Sequence, residues 1–270
     1  MKILSGSELV SFIKVRQAKQ VRMLRQAHKI NPKLAIVQTV DNPVIDKYVS
    51  LKQRYGQEIL IDVEHHKVDQ AEAKSLINSL NADESVHGII VQLPLEDDTM
   101  TDELLNLVDS AKDVDGLGES GTFTPATPMA IDWLIAGYNV DLAGKNIVLV
   151  GNGRLVGAPL FKLWQAAGRK VDVVDDSTIN SAEIISQADV IVSAAGVPGL
   201  IRSEIVKLGA VVVDAGTSSE HGKILGDVAD DVREREDVSL TPTVGGVGPL
   251  TVAALFDNVI RAALKLAETK

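Results

Sequence analysis

The chain has no cysteine among its 270 residues, which excludes disulfides, thiolate metal ligands and cysteine nucleophiles. The absence fits a reducing compartment, and a cytoplasmic location is the expectation. Aromatic residues make up only 3% of the chain, too few for the stacking platforms with which proteins grip single-stranded nucleic acid. Positive charge is also in the minority. The 27 Lys and Arg face 37 Asp and Glu, for a net charge of −10 and a pI near 5.0. Such a chain repels polyanions, so nucleic acid is not an expected partner. No apolar run approaches the roughly 18–20 residues a membrane span needs. Residues 1–14 lack the apolar stretch and cleavage site of a signal peptide, and no membrane partner is expected. A G-x-S-x-G elbow and a G-x-x-x-x-G-K-[ST] loop are both missing, which leaves serine-hydrolase and P-loop readings without support.

What is present is enough for a large core. Apolar residues make up 45% and charged residues 24%, and the length suits two domains or one large one. Residues 7–30 carry apolar side chains at helical spacing, among them Leu9, Val10, Ile13, Val21 and Leu24, and Asn31-Pro32 stops that helix. Short apolar runs at 34–40, 59–63 and 86–93 read as strands, with helices between them from Pro43 to about Gly56 and over 71–80. The stretch 96–126 is acidic and loop-rich. Beyond it, strands are expected at 146–150, 171–174, 189–194 and 210–214, helices at 156–167 and 182–187, and a last helix at about 251–268. Alternation of this kind predicts an α/β fold built from parallel βαβ units. The expected division is a first domain of residues 1–120 and a second of 121–249, with a terminal helix of 250–270 packing back on the first.

The turn Gly151-Asn152-Gly153-Arg154-Leu155-Val156-Gly157 lies between a predicted strand and a predicted helix. Glycines there let the backbone approach a pyrophosphate, which the helix N-terminus then stabilises. The spacing is one residue longer than the commonest dinucleotide fingerprint. Its context strengthens it, because Asp175-Asp176 follow the next strand, 24 residues after Gly151. A carboxylate there binds ribose hydroxyls and repels a 2′-phosphate. An ordinary tight turn with solvated acids beyond it is the bland alternative.

Tyr48 and Lys52 share one face of a predicted helix. A phenol beside a partly desolvated lysine suits acid–base chemistry, although such pairs are also common on surface flanks. Gln92 ends an apolar strand just before Pro94, where it can face a cleft or bond a loop. Asp113 and Asp115 flank Val114 ahead of Gly116, and acids in such turns are often solvated or capping. His65 and His66 are adjacent, so on a strand they point in opposite directions. No metal site is expected from them, and none from His87.

Eight runs, in order, resemble one family. They are Tyr48-Val-Ser-Leu-Lys52, Val86-His-Gly-Ile-Ile-Val-Gln-Leu-Pro-Leu95, Lys112-Asp-Val-Asp-Gly116, Pro125-Ala-Thr-Pro128, Val156-Gly-Ala-Pro159, Ala188-Asp-Val-Ile-Val192, Gly226-Asp-Val228 and Gly245-Gly-Val-Gly-Pro249. By order and spacing the chain is similar to the bifunctional methylenetetrahydrofolate dehydrogenase/methenyltetrahydrofolate cyclohydrolases. The resemblance implies two α/β domains with a cleft between them, the C-terminal one Rossmann-like, and a homodimer. It implies tetrahydrofolate derivatives as substrates and NAD(P)+ as cofactor, which the turn read above (Gly151, Asn152, Gly153, Arg154, Val156 and Gly157) and the acids Asp175 and Asp176 beyond the next strand would be placed to hold. Lys52 would be the central catalytic group, Tyr48 would stack on or line the folate ring and orient that lysine, and Gln92 would hydrogen-bond Lys52 and tune its protonation. Asp115 would grip the amino-pyrimidine edge of the pterin, while Gly246 and Pro249 would close on the ligands. The activity implied is oxidation of 5,10-methylenetetrahydrofolate to the 5,10-methenyl form, then hydrolysis to 10-formyltetrahydrofolate.

Departures from the family pattern narrow these expectations. The family usually has Gly-Arg-Ser where this chain has Gly151-Asn152-Gly153, and His-Ser where it has Asp175-Asp176. One change removes a cation and the other adds negative charge where an NADP 2′-phosphate lies, so NAD+ is expected over NADP+. Ile45 replaces a frequent serine, Val244 a proline, and Ala126 and Ala130 a cysteine and a glycine. Two rival readings are a dehydrogenase acting on another small substrate and a non-catalytic folate- or dinucleotide-binding paralogue.

Overall fold

The computed structural model describes residues 1–220 and 223–269. The chain begins with β1 (Lys2–Ile3), α1 (Gly6–Ala27), β2 (Lys33–Gln38), α2 (Pro43–Glu58), β3 (Asp62–Lys67), α3 (Gln70–Ala82), β4 (Gly88–Gln92) and α4 (Thr101–Leu107). It continues through α5 (Ala126–Gly137), β5 (Ile147–Val150), α6 (Gly157–Ala166), β6 (Val171–Val174), α7 (Ser181–Ser186) and β7 (Val190–Ser193). Then come β8 (Val211–Asp214), β9 (Ser218–Glu220), β10 (Lys223–Leu225), α8 (Asp230–Arg233), β11 (Ser239–Leu240) and α9 (Val247–Thr269). It is an α/β fold, and it divides into two compact units: Met1–Val10 with Thr127–Thr251, and Ser11–Ala126 with the chain from Val252 on.

One unit, Ser11–Ala126 with the later part of α9, is built on a three-stranded parallel sheet in the order β3-β2-β4. Its central strand buries almost every residue, the signature of a strand covered on both faces. Ala35, Val37, Ile77, Ile89 and Leu104 form one cluster of its core. The second unit carries a six-stranded sheet in the order β1-β11-β8-β7-β5-β6, with every neighbouring pair parallel. Val148, Val150, Ile191, Val212 and Leu240 fill its core. This is the doubly wound, Rossmann-like arrangement expected of the C-terminal half.

Local chemistry explains the agreements and the corrections. Asn42 caps α2 by accepting from the Val44 N–H at 2.8 Å, and Pro43 occupies the first turn, where its missing N–H costs nothing. The strand expected at 59–63 begins instead at Asp62, because α2 runs past Gly56 to Glu58. Gly56 is there for close packing, since a Cβ on it would lie 2.6 Å from Val63 Cγ2 and 2.9 Å from Ile61 O. Residues 1–10, read with the first domain, belong to the other unit: β1 pairs with β11, and Leu4 N–H donates to Leu240 O at 2.9 Å. Helices α4 and α5 lie in and just beyond the stretch expected to be loop. Of the terminal helix expected over 250–270, residue 270 lies outside the described residues.

By length and composition α9 could cross a membrane, with a mean hydropathy of 1.4, but 67% of that window is buried within the protein. Phe256, Val259 and Ile260 are almost fully covered. Its apolar content belongs to the core.

Candidate active site

From β2 the chain passes to the edge strand β3 and then crosses back to β4 on the other side of β2. The switch point therefore lies between the C-terminal ends of β2 and β4, where open α/β sheets bind ligands. Gln92 is the last residue of β4, opposite Gln38 at the end of β2. Helix α2, which leaves the same end of β2, brings Lys52 to it, and Lys52 Nζ donates to Gln92 Oε1 at 2.7 Å. The Gln92 amide is oriented by its other bond, Nε2 donating to Leu93 O at 3.0 Å. Its oxygen is thereby left to receive the ammonium. Tyr48 stands one turn earlier on the same face of α2 and is 39% exposed, which leaves its ring open to a ligand.

Asp115 comes from the loop that follows α4, and two groups fix that loop. The Asp113 carboxylate accepts from the N–H groups of Gly116 at 3.0 Å and Gly118 at 2.9 Å. Buried Asn258 on α9 donates through Nδ2 to the carbonyls of Val114 and Thr124, both at 2.9 Å. Asp113 is thus a loop-holding acid, one of the roles its turn position allowed. Asn258 was not legible as a site support, because a lone Asn inside an apolar helix carries no motif.

Lys52 and Asp115 perturb each other. Burial pushes the Lys52 pKa down from its ordinary value, and the charge of Asp115 recovers part of that drop. Burial likewise raises Asp115, with Lys52 opposing it and Asp113 adding to it. Burial thus disfavours the charged form of both groups while each charge favours the other's, the kind of environment that tunes side chains for acid–base work. Ile45, where a serine is frequent, is 5% exposed and packs on the core face of α2.

The second unit has its own switch point, between β5 and its neighbours β6 and β7. The turn from Gly151 to Gly157 leaves β5 there. Gly151 has φ +96°, and a Cβ would sit 2.7 Å from Ala194 O. A Cβ on Gly157 would lie 2.1 Å from Gly151 O, so neither position admits a side chain without moving backbone. At Gly153 no atom lies within 4 Å of where a Cβ would be, which leaves backbone open to an approaching group. Asn152 and Arg154 are exposed, and α6 begins after Val156 with no side-chain cap. Ala158 N–H donates to Gly153 O at 3.1 Å and Pro159 has no N–H, so this end offers an anion the open backbone of the glycine turn and not a row of helix N–H groups. These features fit the pyrophosphate of a dinucleotide.

Asp175 directly follows β6, and Val174 pairs with Val150 just before the glycine turn. Its Oδ1 accepts from Ser177 Oγ at 2.7 Å and Thr178 Oγ1 at 3.0 Å, and these hydroxyls lower its pKa. Asp176 is exposed beside it. Gly246 and Pro249 lie in this unit at the start of α9, with Gly246 O so close to Gly6 that a side chain on Gly6 could not be accommodated.

His65 and His87 are tied into the fold. His65 Nε2 bonds Gln38 Oε1 at 2.8 Å, while His87 Nδ1 accepts from the Lys33 N–H at 3.2 Å. Among the described residues no cluster of three or more His, Asp or Glu is placed to hold a metal.

Comparison with known proteins agrees with both halves of this geometry. Residues 4–115 match the tetrahydrofolate dehydrogenase/cyclohydrolase catalytic domain, and residues 125–267 match the NAD(P)-binding domain of the same family. The bifunctional protein FolD of Campylobacter jejuni is 37% identical over 97% of this chain and 98% of its own length. The crystal structure of the Campylobacter jejuni enzyme superposes with a TM-score of 0.92 at 37% identity, covering 98% of this chain and 99% of that one. The Trypanosoma brucei dehydrogenase-cyclohydrolase, solved with NADP and an inhibitor, superposes with a TM-score of 0.91 at 29% identity, covering 98% and 97%. The chain belongs to the tetrahydrofolate dehydrogenase/cyclohydrolase family, as an NAD(P)+-dependent methylenetetrahydrofolate dehydrogenase and methenyltetrahydrofolate cyclohydrolase.

Proposed function

We propose that Lys52 is the central catalytic group, polarising the folate centre during oxidation and moving the proton of the hydrolytic step, with Gln92 and Asp115 setting its charge and Tyr48 lining the folate. The observation that carries this reading is the 2.7 Å bond from Lys52 Nζ to Gln92 Oε1. It holds a buried amine at the switch point where a ligand binds. NAD(P)+, when bound by the second unit, would supply the acceptor for the hydride that leaves the one-carbon bridge. Lys52 in its protonated form polarises the one-carbon bridge, and in its neutral form it takes a proton from the water that adds to the methenyl carbon. Asp115, held by its loop, accepts paired N–H bonds from the amino-pyrimidine edge. The glycine turn would hold the pyrophosphate, and Gly246 and Pro249 would contribute to ligand binding.

NAD+ is proposed as the preferred cofactor. Asp175 sits where a ribose-reading carboxylate belongs in a doubly wound sheet, and its lowered pKa keeps it anionic at neutral pH. A homodimeric state is part of the same proposal and rests on the family resemblance.

Replacing Gln92 tests the carrying observation. Gln92→Met keeps the volume and removes the acceptor, so Lys52 loses its orientation. Cyclohydrolase kcat is expected to fall about tenfold or more while folate affinity stays within about threefold. An unchanged kcat would remove the Lys52–Gln92 bond from the mechanism.

A further inference from the structure

The motif Gly226-Asp227-Val228 has no part in the chemistry described so far, yet its acid is among the most enclosed in the chain. Asp227 is 1% exposed. Its Oδ2 accepts from Ser193 Oγ at 2.7 Å, from the Ala195 N–H at 2.8 Å and from the Gly196 N–H at 3.3 Å. Its own N–H donates to Asp214 Oδ1 at 3.0 Å. Asp214 in turn accepts from the Gly216 and Val228 N–H groups and pairs with Arg233 at 2.7 Å.

The two acids are interlocked through glycines. A Cβ on Gly216 would lie 2.0 Å from Asp227 Oδ1, and one on Gly226 would lie 2.0 Å from Asp214 Oδ2. Each carboxylate therefore occupies the space that a side chain would need beside the other acid. The loops leaving β7 and β8 are clamped together at their C-terminal ends, the edge on which a doubly wound sheet carries its dinucleotide. The glycine turn after β5 rests on this clamp. A Cβ on Gly151 would be 2.7 Å from Ala194 O and 2.9 Å from Ala195 Cα, the residues whose neighbouring amides Asp227 holds.

We propose that Asp227 is a positioning residue for the dinucleotide. It fixes the 194–196 loop as the floor on which the phosphate turn sits. A buried carboxylate suits this task because it accepts several donors at one oxygen, and charge-assisted bonds to backbone N–H groups hold a loop more firmly than neutral ones. The role belongs to the dinucleotide and not to the folate chemistry, since Lys52, Gln92 and Asp115 lie in the other unit.

The bifunctional activity separates this role from general support of the fold. Asp227→Asn keeps the shape and removes the charge while pointing an amide at the same donors. KM and Kd for the oxidised dinucleotide are expected to rise about tenfold, with dehydrogenase kcat at saturation within about threefold of wild type. Hydrolysis of 5,10-methenyltetrahydrofolate, which takes no dinucleotide, is expected to keep its rate. Ser193→Ala deletes one donor and leaves the acid in place. It is expected to raise the same KM about two- to fivefold, and it decides the question if Asp227→Asn does not fold. An unchanged dinucleotide KM in the variant that folds would overturn the proposal. So would equal losses in dehydrogenase and hydrolase activity.

Discussion

Lys52→Ala is expected to lower cyclohydrolase turnover by about 10²- to 10⁴-fold, the range spanned by loss of a positioned acid–base group. Folate affinity should change much less, because Tyr48 and Asp115 remain. The size of the effect follows from the environment of the amine. It is buried enough that desolvation lowers its pKa, it bonds Gln92, and Asp115 is the charge that keeps it from falling further. The pH profile carries a second signature. Asp115 raises the Lys52 pKa, so Asp115→Asn lowers it, and the kinetic limb that belongs to Lys52 moves to lower pH whichever protonation state is active. Stopped-flow or steady-state hydrolysis of 5,10-methenyltetrahydrofolate, followed by its absorbance, measures both. Full turnover in Lys52→Ala, or a limb that does not move in Asp115→Asn, would assign the proton transfers elsewhere.

The second large effect is expected at the cofactor site. Replacing Asp175 and Asp176 together by serine removes two negative charges from the end of β6 and should relax discrimination against NADP+. The ratio of kcat/KM for NAD+ over that for NADP+ is expected to fall about tenfold or more. Most of the change should come from Asp175. Its carboxylate is held by Ser177 and Thr178, which keeps it charged and fixes where it points. Asp176 is exposed, and its repulsion of a phosphate is screened by solvent and salt. The effect should therefore shrink as salt is added. A ratio that does not change in the double variant would mean that these acids do not read the ribose.

How much of this was legible in the sequence depended on whether the deciding interaction was local. The start of α2 was readable because Asn42 and Pro43 carry its cap and first turn within three residues. Strands β2, β4, β5, β7 and β8 were readable because parallel strands covered on two faces are short, continuous apolar runs. The glycine turn was readable from its place between a strand and a helix. Gly56 misled, because a glycine required by a close approach to Val63 looks in sequence like a helix stop. β1 and β11 were invisible: each has two residues, and their partnership spans almost the whole chain. The candidate site divides along the same line. Tyr48 and Lys52 share a helix face by spacing alone, but their meeting with Gln92 is set by the β3-β2-β4 strand order. Asn258 and Asp227, which hold the loops of the two sites, act on backbone groups far along the chain and leave no local pattern. The family resemblance supplied their motifs in part, as with Gly226-Asp227-Val228, without saying what the acid does.

The measurement that tests the cofactor and substrate together is formation of 5,10-methenyltetrahydrofolate from 5,10-methylenetetrahydrofolate by the unmodified protein, with NAD+ and NADP+ run side by side. The expected result is turnover with both the folate and NAD+, at a kcat/KM well above that with NADP+. Preference for NADP+ would contradict the electrostatic reading of Asp175 and Asp176 and direct attention to exposed Arg154 in the glycine turn.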